Sequence, residues 1–201
     1  MIWSAYKKVR SNQGGEGIDE ISMAEYDAQR SKHLYKLWNR MASGSYFPPP
    51  VKEVEIPKKD GGIRKLGVPT ISDRVGQAVI KEYLESRFEK IFSPHSYAYR
   101  PDKNAHQALE SVRINCRKSD WVIDLDIKGF FDNIDHDKLL KALVKQVGEK
   151  WCIMYIKRWL QMPVQTKSGE LIQKNGKGTP QGGVISTLLA NFFLHYAMDK
   201  W

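Results

Sequence analysis

The sequence predicts an α+β fold, and three observations carry the prediction. Apolar residues recur at helical spacing in several separate stretches, and two other stretches alternate along their length around glycine turns. The two kinds of segment are interleaved without the regular strand–helix–strand repetition of a parallel sheet. With 41% hydrophobic and 27% charged residues over 201 positions, the composition is that of a folded protein with a sizeable core.

The elements follow in order. Leu34, Leu37, Trp38 and Met41 place a helix within residues 20–42, which Gly44 and the three prolines of "SGSYFPPP" stop. "VKEVEIPKKDGGIRKLGVPT" alternates on two arms about Asp60-Gly61-Gly62 and reads as a β-hairpin. Helices are expected from Asp73 to about Ile91 and from Asn104 to about Cys116. "WVIDLDI", residues 121–127, reads as a buried strand, with a helix behind it on Leu139, Leu140, Leu143, Val144 and Val147. Trp151 to Leu160 is a short helix with Pro163 just beyond, and "PVQTKSGELIQKNG" is a second hairpin turning at Ser168-Gly169. "ISTLLANFFLHYAMDKW" is a last apolar helix.

Lysine and arginine outnumber aspartate and glutamate by 32 to 23, and a surplus of +9 points to a polyanionic partner such as nucleic acid. No apolar run of about eighteen residues suggests a membrane span, and the N-terminus is too polar for a signal peptide. Cys116 and Cys152 lack metal-ligand spacing and read as buried thiols in a reducing compartment.

Against that positive background, "WVIDLDIKGFFDNIDHD" holds five aspartates. Strand alternation sets Asp124 and Asp126 on one face about 7 Å apart, a spacing suited to a hard cation completed by substrate phosphates. Burying Asp126 unpaired between Leu125 and Ile127 would cost several kcal/mol, so a function is expected of it. Asp124 stays open, while Asp135 reads as a helix N-cap, Asp132-Asn133 as a turn and Asp137 as solvated. Lys58, Lys59, Arg64 and Lys65 surround the first hairpin turn, where they can reach a phosphate-bearing ligand or simply be solvated. "GKGTPQGGVIS" sets four glycines before an apolar helix, which lets backbone N–H groups approach a polar ligand; it lacks the lysine of a P-loop, which argues against an ATPase.

Taken in order, "EIPKKDGGIRKLGVPTISDR", "SPHSYAYRP", "VIDLDIKGFFDNIDHDKL" and "GTPQGGVISTLLANFFLHYAMDKW" resemble the successive blocks of group II intron-encoded reverse transcriptases, also called maturases. The resemblance covers nearly the whole chain, and "GIDEIS" followed by a helix is similar to that family's N-terminal extension. It implies reverse-transcriptase fingers and palm, with a helical, RNA-binding N-terminal extension over 1–45, fingers over 46–120, and a partial palm over 121–201 with a fingers hairpin near 163–178. It also implies Asp126 and the Ile127 carbonyl as metal ligands, Asp126 being catalytic, and Phe131 as the aromatic that excludes a ribose 2′-hydroxyl. Lys58 and Arg64 would hold the triphosphate, Gln181 and Gly182 would lie beside the sugar, and Arg100 would face the template. Lys7, Lys8, Arg10, Arg30 and Lys36 would bind RNA. The implied cofactor is Mg²⁺, with Mn²⁺ as an alternative, and the implied partners are intron or template RNA, a DNA primer and dNTPs. The implied location is the bacterial cytoplasm or nucleoid.

Two departures stand against the pattern. Ala98 and Thr187 occupy positions where the family more often has glycine and proline. The Tyr-Ala-Asp-Asp turn, with its further catalytic aspartates, does not occur in these 201 residues. The chain is therefore expected to stop short of that turn, to be inactive as a polymerase by itself, and to self-associate as a homodimer through surface the cut would expose. An RNA-binding splicing cofactor without polymerase activity is the alternative. A nuclease or phosphatase built on Asp124 and Asp126 would leave the first hairpin and the "TPQGG" loop unexplained.

Overall fold

A computed structural model describes residues 1–57, 61–180 and 182–200. Its core is organised on one helix that the sequence anticipates, α4, Ile71–Phe88. Thr70 caps it by accepting from the Asp73 amide, which satisfies one of the free N–H groups of the first turn. Ile71, Val75, Ala78, Ile80, Leu84 and Phe88 are all buried, more than one face of an amphipathic helix supplies, because α4 is packed on several sides. Its neighbours are α1 (Ile2–Ser11), α3 (Arg30–Ala42) and α9 (Ser186–Leu194), whose Phe192 stacks on Phe88 at 4.2 Å between ring centroids. Further buried side chains come from α7 (His136–Gln146) and α8 (Lys150–Leu160).

α1 carries no signal in the sequence reading, yet Ala5, Tyr6 and Val9 seat it against α4. The single helix expected over 20–42 is two. α2, Met23–Ala28, opens on a capping box between Ser22 and Glu25, and the chain breaks at Gln29 (φ −118°, ψ 24°) before α3. The Tyr6 hydroxyl and Arg10 both donate to Asp27, Arg10 at 2.8 Å, tying α1 to α2.

Four strands form one sheet in the order β2-β1-β3-β4. β1 (Val51–Pro57) and β2 (Ile63–Val68) are the expected antiparallel hairpin. β3 (Val164–Gln165) and β4 (Leu171–Ile172) are the second hairpin, with Gly169 at φ 87° in its turn. The hairpins join through a parallel pairing of Val51 with Val164 and Lys52 with Gln165.

Two expectations fail. Residues 121–127 form no strand, and Trp121, Ile123, Leu125 and Ile127 are 89%, 82%, 74% and 49% exposed. A strand is stable only against partners, and among the described residues nothing pairs with this segment. Preceding it, α5 (Ala105–Cys116) is capped by Asn104 with Gln107 but buries no residue, so Cys116 is exposed rather than buried. Cys152 is buried as expected, and burial pushes its thiol up to about 12.

A carboxyl sits inside the core. Asp73 is fully buried and accepts from Trp159 Nε1 at 2.7 Å and from the Tyr46 hydroxyl at 3.0 Å, so it links α4 to α8 and to the loop after α3. Its Oδ2 has no hydrogen-bond partner among the described residues. Among those residues no helix is long and apolar enough to cross a membrane.

Candidate nucleotide and nucleic-acid site

Two loops that the sequence separates by some forty residues are fastened together. The first is the turn from Gly129 into α6 (Phe130–Asn133), which Gly129 opens at φ 61° and Asn133 closes by donating to the Gly129 carbonyl at 2.9 Å. Asp135 then caps α7 by accepting from the Lys138 amide at 2.9 Å, as the sequence predicts, and the cap holds its carboxyl below the usual range. The second loop is 176–183. The Gly178 amide donates to the Ile134 carbonyl and the Thr179 amide to the Phe131 carbonyl, both at 2.8 Å, and the His136 amide donates to the Gly176 carbonyl at 3.0 Å. The buried His136 ring adds Nε2–H to the Gly178 carbonyl at 2.7 Å.

Glycine is required where these chains touch. A Cβ on Gly178, at φ 82°, would lie 2.8 Å from the Asp132 carbonyl oxygen. A Cβ on Gly182, at φ 116°, would lie 2.6 Å from the carbonyl oxygen of Gly67 near the end of β2. The second contact brings the loop against the strand that carries Arg64. Thr179 and Ser186 support it from below: the Thr179 hydroxyl donates to Ser186 Oγ at 2.8 Å, and Ser186 donates to the Pro180 carbonyl at 2.9 Å, both side chains buried.

The structure therefore brings together Phe131, Gly182 and the base of the β1–β2 hairpin. Phe131 is half-buried and meets Phe130 edge-on at 5.8 Å, and Phe130 in turn lies 6.3 Å from Phe193 of α9. Arg64 is exposed on β2 opposite Ile56. Lys58 and Gln181 lie outside the described residues. Burial lowers the Lys174 ammonium to about 8, with Asp132 opposing the shift, so a partly desolvated cation stands beside the turn.

Asp126 and Ile127 lie in the exposed segment ahead of this turn. A carboxylate and a backbone carbonyl are hard oxygen donors of the kind Mg²⁺ takes. They are too few for a two-ion centre, which draws carboxylates from separate parts of a chain, and among the described residues no three His, Cys, Asp or Glu side chains are grouped to hold a metal. These residues alone do not fit the full centre.

Arg100 occupies a different setting from the template-facing one expected. Its side chain is 6% exposed, bonds Glu89 at 2.9 and 3.0 Å, and donates to the Ser93 and Ser96 carbonyls at 2.6 and 2.7 Å. It folds the 93–100 loop onto the end of α4. Of the N-terminal cations, Lys7 lies over the Trp3 ring at 5.7 Å, Lys8 pairs with Glu82 at 3.0 Å, and Arg10 pairs with Asp27; Arg30 and Lys36 are exposed. Sequence reasoning missed His136, Thr179, Ser186 and Gly67. The "NIDH" run and the "GT" of the glycine loop hold two of them, but their pairing is a long-range event with no local pattern.

Residues 56–201 match the family model described as reverse transcriptase (RNA-dependent DNA polymerase). The whole chain is 33% identical over 208 residues to the group II intron-encoded protein LtrA of Lactococcus lactis subsp. cremoris, of which it covers 33%. It is 30% identical over 201 residues to the putative COX1/OXI3 intron 1 protein of Saccharomyces cerevisiae, again over the whole chain and 24% of that protein. The chain thus spans a third or less of the length of these relatives. In fold it is similar to a chain of the partial Cas6-RT-Cas1–Cas2 complex, with a TM-score of 0.63 and 23% identity over 99% of this chain and 33% of that one.

Proposed function

Because the chain belongs to the reverse transcriptase (RNA-dependent DNA polymerase) family, we propose that it supplies the fingers and the nucleotide-facing part of the palm to an intron-encoded RNA-directed DNA polymerase. The observation that carries this reading is the contact of Gly182 with Gly67, since it sets the glycine loop, Phe131 and the Arg64 strand around one space. In that space Arg64 would meet the triphosphate of an incoming nucleotide, the role the family resemblance also assigns to Lys58. Phe131 would exclude a ribose 2′-hydroxyl and Gly182 would border the sugar, a role the family resemblance also assigns to Gln181. Arg100 shapes the neighbouring loop rather than touching the template, because its donors are already engaged. Asp126 contributes one carboxylate to a Mg²⁺ centre completed by other groups, with Mn²⁺ as its substitute.

Primer extension tests the reading. The 201 residues alone give no product on an RNA template with dNTPs and Mg²⁺, whereas a longer protein that contains them does. In that longer protein Phe131→Ala raises the use of ribonucleotides relative to deoxynucleotides. Robust synthesis by the 201 residues, or an unchanged sugar preference in the variant, would overturn it.

A second role, binding of intron RNA in splicing, is favoured by a separate observation. α1, α3 and α8 carry three, four and three lysines and arginines and no carboxylate on any of them. Such helices bind a polyanion, and affinity for single-stranded RNA should fall with salt by a slope of roughly 0.7 per neutralised phosphate.

A further inference from the structure

A polar hollow of about 470 Å³ lies where the start of α7, the end of α8 and the turn after β4 meet, within the size range of small-ligand sites. Lys157 of α8 and Lys174 of the turn both stand in its wall, and Asp137 is the one carboxylate there among the described residues. The wall therefore keeps a positive surplus. Gln161 and Gln173 add side-chain amides to it, and among the described residues no Phe, Tyr or Trp lines it.

The backbone that carries Lys174 is fixed in place. The Lys177 amide donates to the Lys174 carbonyl at 2.9 Å across a turn in which Asn175 and Gly176 take φ 35° and 74°. That turn is tied to α7, because the Gly176 carbonyl accepts from the His136 amide at 3.0 Å and Lys177 bridges to Asp135. A half-buried ammonium costs free energy unless something pairs with it. Lys174 makes no hydrogen bond or ion pair through its side chain among the described residues, and burial holds it down at about 8, with Asp132 opposing the shift only in part. Lys157 is exposed and equally unpaired among those residues, and the side chains of Gln161 and Gln173 make no hydrogen bond there. The N-terminus of α7 adds little, since Asp135 already accepts from the Lys138 amide. Side chains without internal partners are what this hollow offers a ligand.

We propose that this hollow seats one phosphate of a bound RNA strand between Lys157 and Lys174, with the adjoining ribose hydroxyl against Gln161, Gln173 and Asp137. The wall chooses backbone over base, because a base needs an aromatic face to stack on and finds none here. An acidic side chain would suit the two lysines, but it fills little of 470 Å³ and brings no hydroxyl for Asp137. A ribose-phosphate uses the cations, the amides and the carboxylate together. Position supports the same occupant: His136 and Gly176 belong both to this wall and to the clasp between the two loops of the nucleotide site, so the hollow borders that site. The proposal rests on the reading that the chain binds RNA and fixes one phosphate of it.

Fluorescence anisotropy with a labelled single-stranded RNA and the DNA of the same sequence, titrated at several salt concentrations, tests it. Lys157→Gln with Lys174→Gln is expected to weaken RNA binding and to lower the salt slope by roughly 0.7, the value for one phosphate, because both lysines hold the same one. A fall of roughly 1.4 would mean two separate surface contacts and would overturn the shared seat. Lys174→Met removes a poorly solvated charge and keeps the stem, so it should weaken RNA binding while the thermal midpoint stays level or rises; Lys174→Arg should retain binding. Loss of stability in step with binding would make Lys174 a packing residue and overturn the proposal. Gln161→Ala with Gln173→Ala should narrow the preference for RNA over DNA by about fivefold, the scale of one hydrogen bond, and an unchanged preference would overturn the ribose contact. Salt-dependent RNA binding that the lysine pair leaves untouched would overturn the site while leaving RNA binding intact. No RNA binding by the unsubstituted chain would overturn both.

Discussion

Asp73 is the residue on which the stability of the chain should depend most visibly. Burial raises its carboxyl from 3.8 to about 6, against the opposing bonds from Trp159 and Tyr46. A carboxyl whose folded value is raised binds its proton more tightly in the folded state, so its contribution is full below about pH 4 and is lost as pH rises through 6. Urea unfolding followed by circular dichroism should show about 3 kcal/mol lost across that window, and Asp73→Asn should flatten the profile. Nothing in "TISDRVGQ" announces this. The sequence shows an aspartate at a helix start, and only the fold puts Trp159 and Tyr46 over it. Asp135 is the opposite case: its cap is local, needs only the Lys138 amide three residues on, and is legible without any structure. Phe131 and Gly182 were legible as types, through family motifs, but not their shared space, which depends on the Gly67 carbonyl.

At the scale of elements, helices and hairpins were read correctly where their partners lie close in sequence or where one face is plainly apolar, as in α4, α7 and the β1–β2 pair. The segment 121–127 shows the limit. Alternation around Asp124 and Asp126 describes what this stretch would do in a sheet, but supplies no sheet. Hydrogen exchange should separate the two kinds of element: amides of 121–127 in the 201 residues should exchange at nearly unstructured rates, while those of α4 between Val75 and Leu84 should be protected to the level of global unfolding. Protection of both to the same degree would mean that 121–127 is paired after all. α1 escaped the reading for a related reason, since its buried set of Ala5, Tyr6 and Val9 is too small to stand out beside Lys7, Lys8 and Arg10.

The whole molecule leaves apolar surface outside its core. Trp121, Val122, Ile123 and Leu125 are at least 70% exposed, and Leu109 and Val112 of α5 add to them. Surface of this kind drives association, so sedimentation velocity of the 201 residues should show a concentration-dependent rise in mass, which Ile123→Lys with Leu125→Lys should suppress. A concentration-independent monomer would count against it. The fold also sets an order of events. β1 cannot meet its parallel neighbour until Val164 exists, more than a hundred residues after Val51. At about 5–20 residues per second, a ribosome needs on the order of ten seconds to make that stretch. For that interval the nascent hairpin waits with one strand edge open, and whatever binds it during synthesis competes with the chain's own later segment.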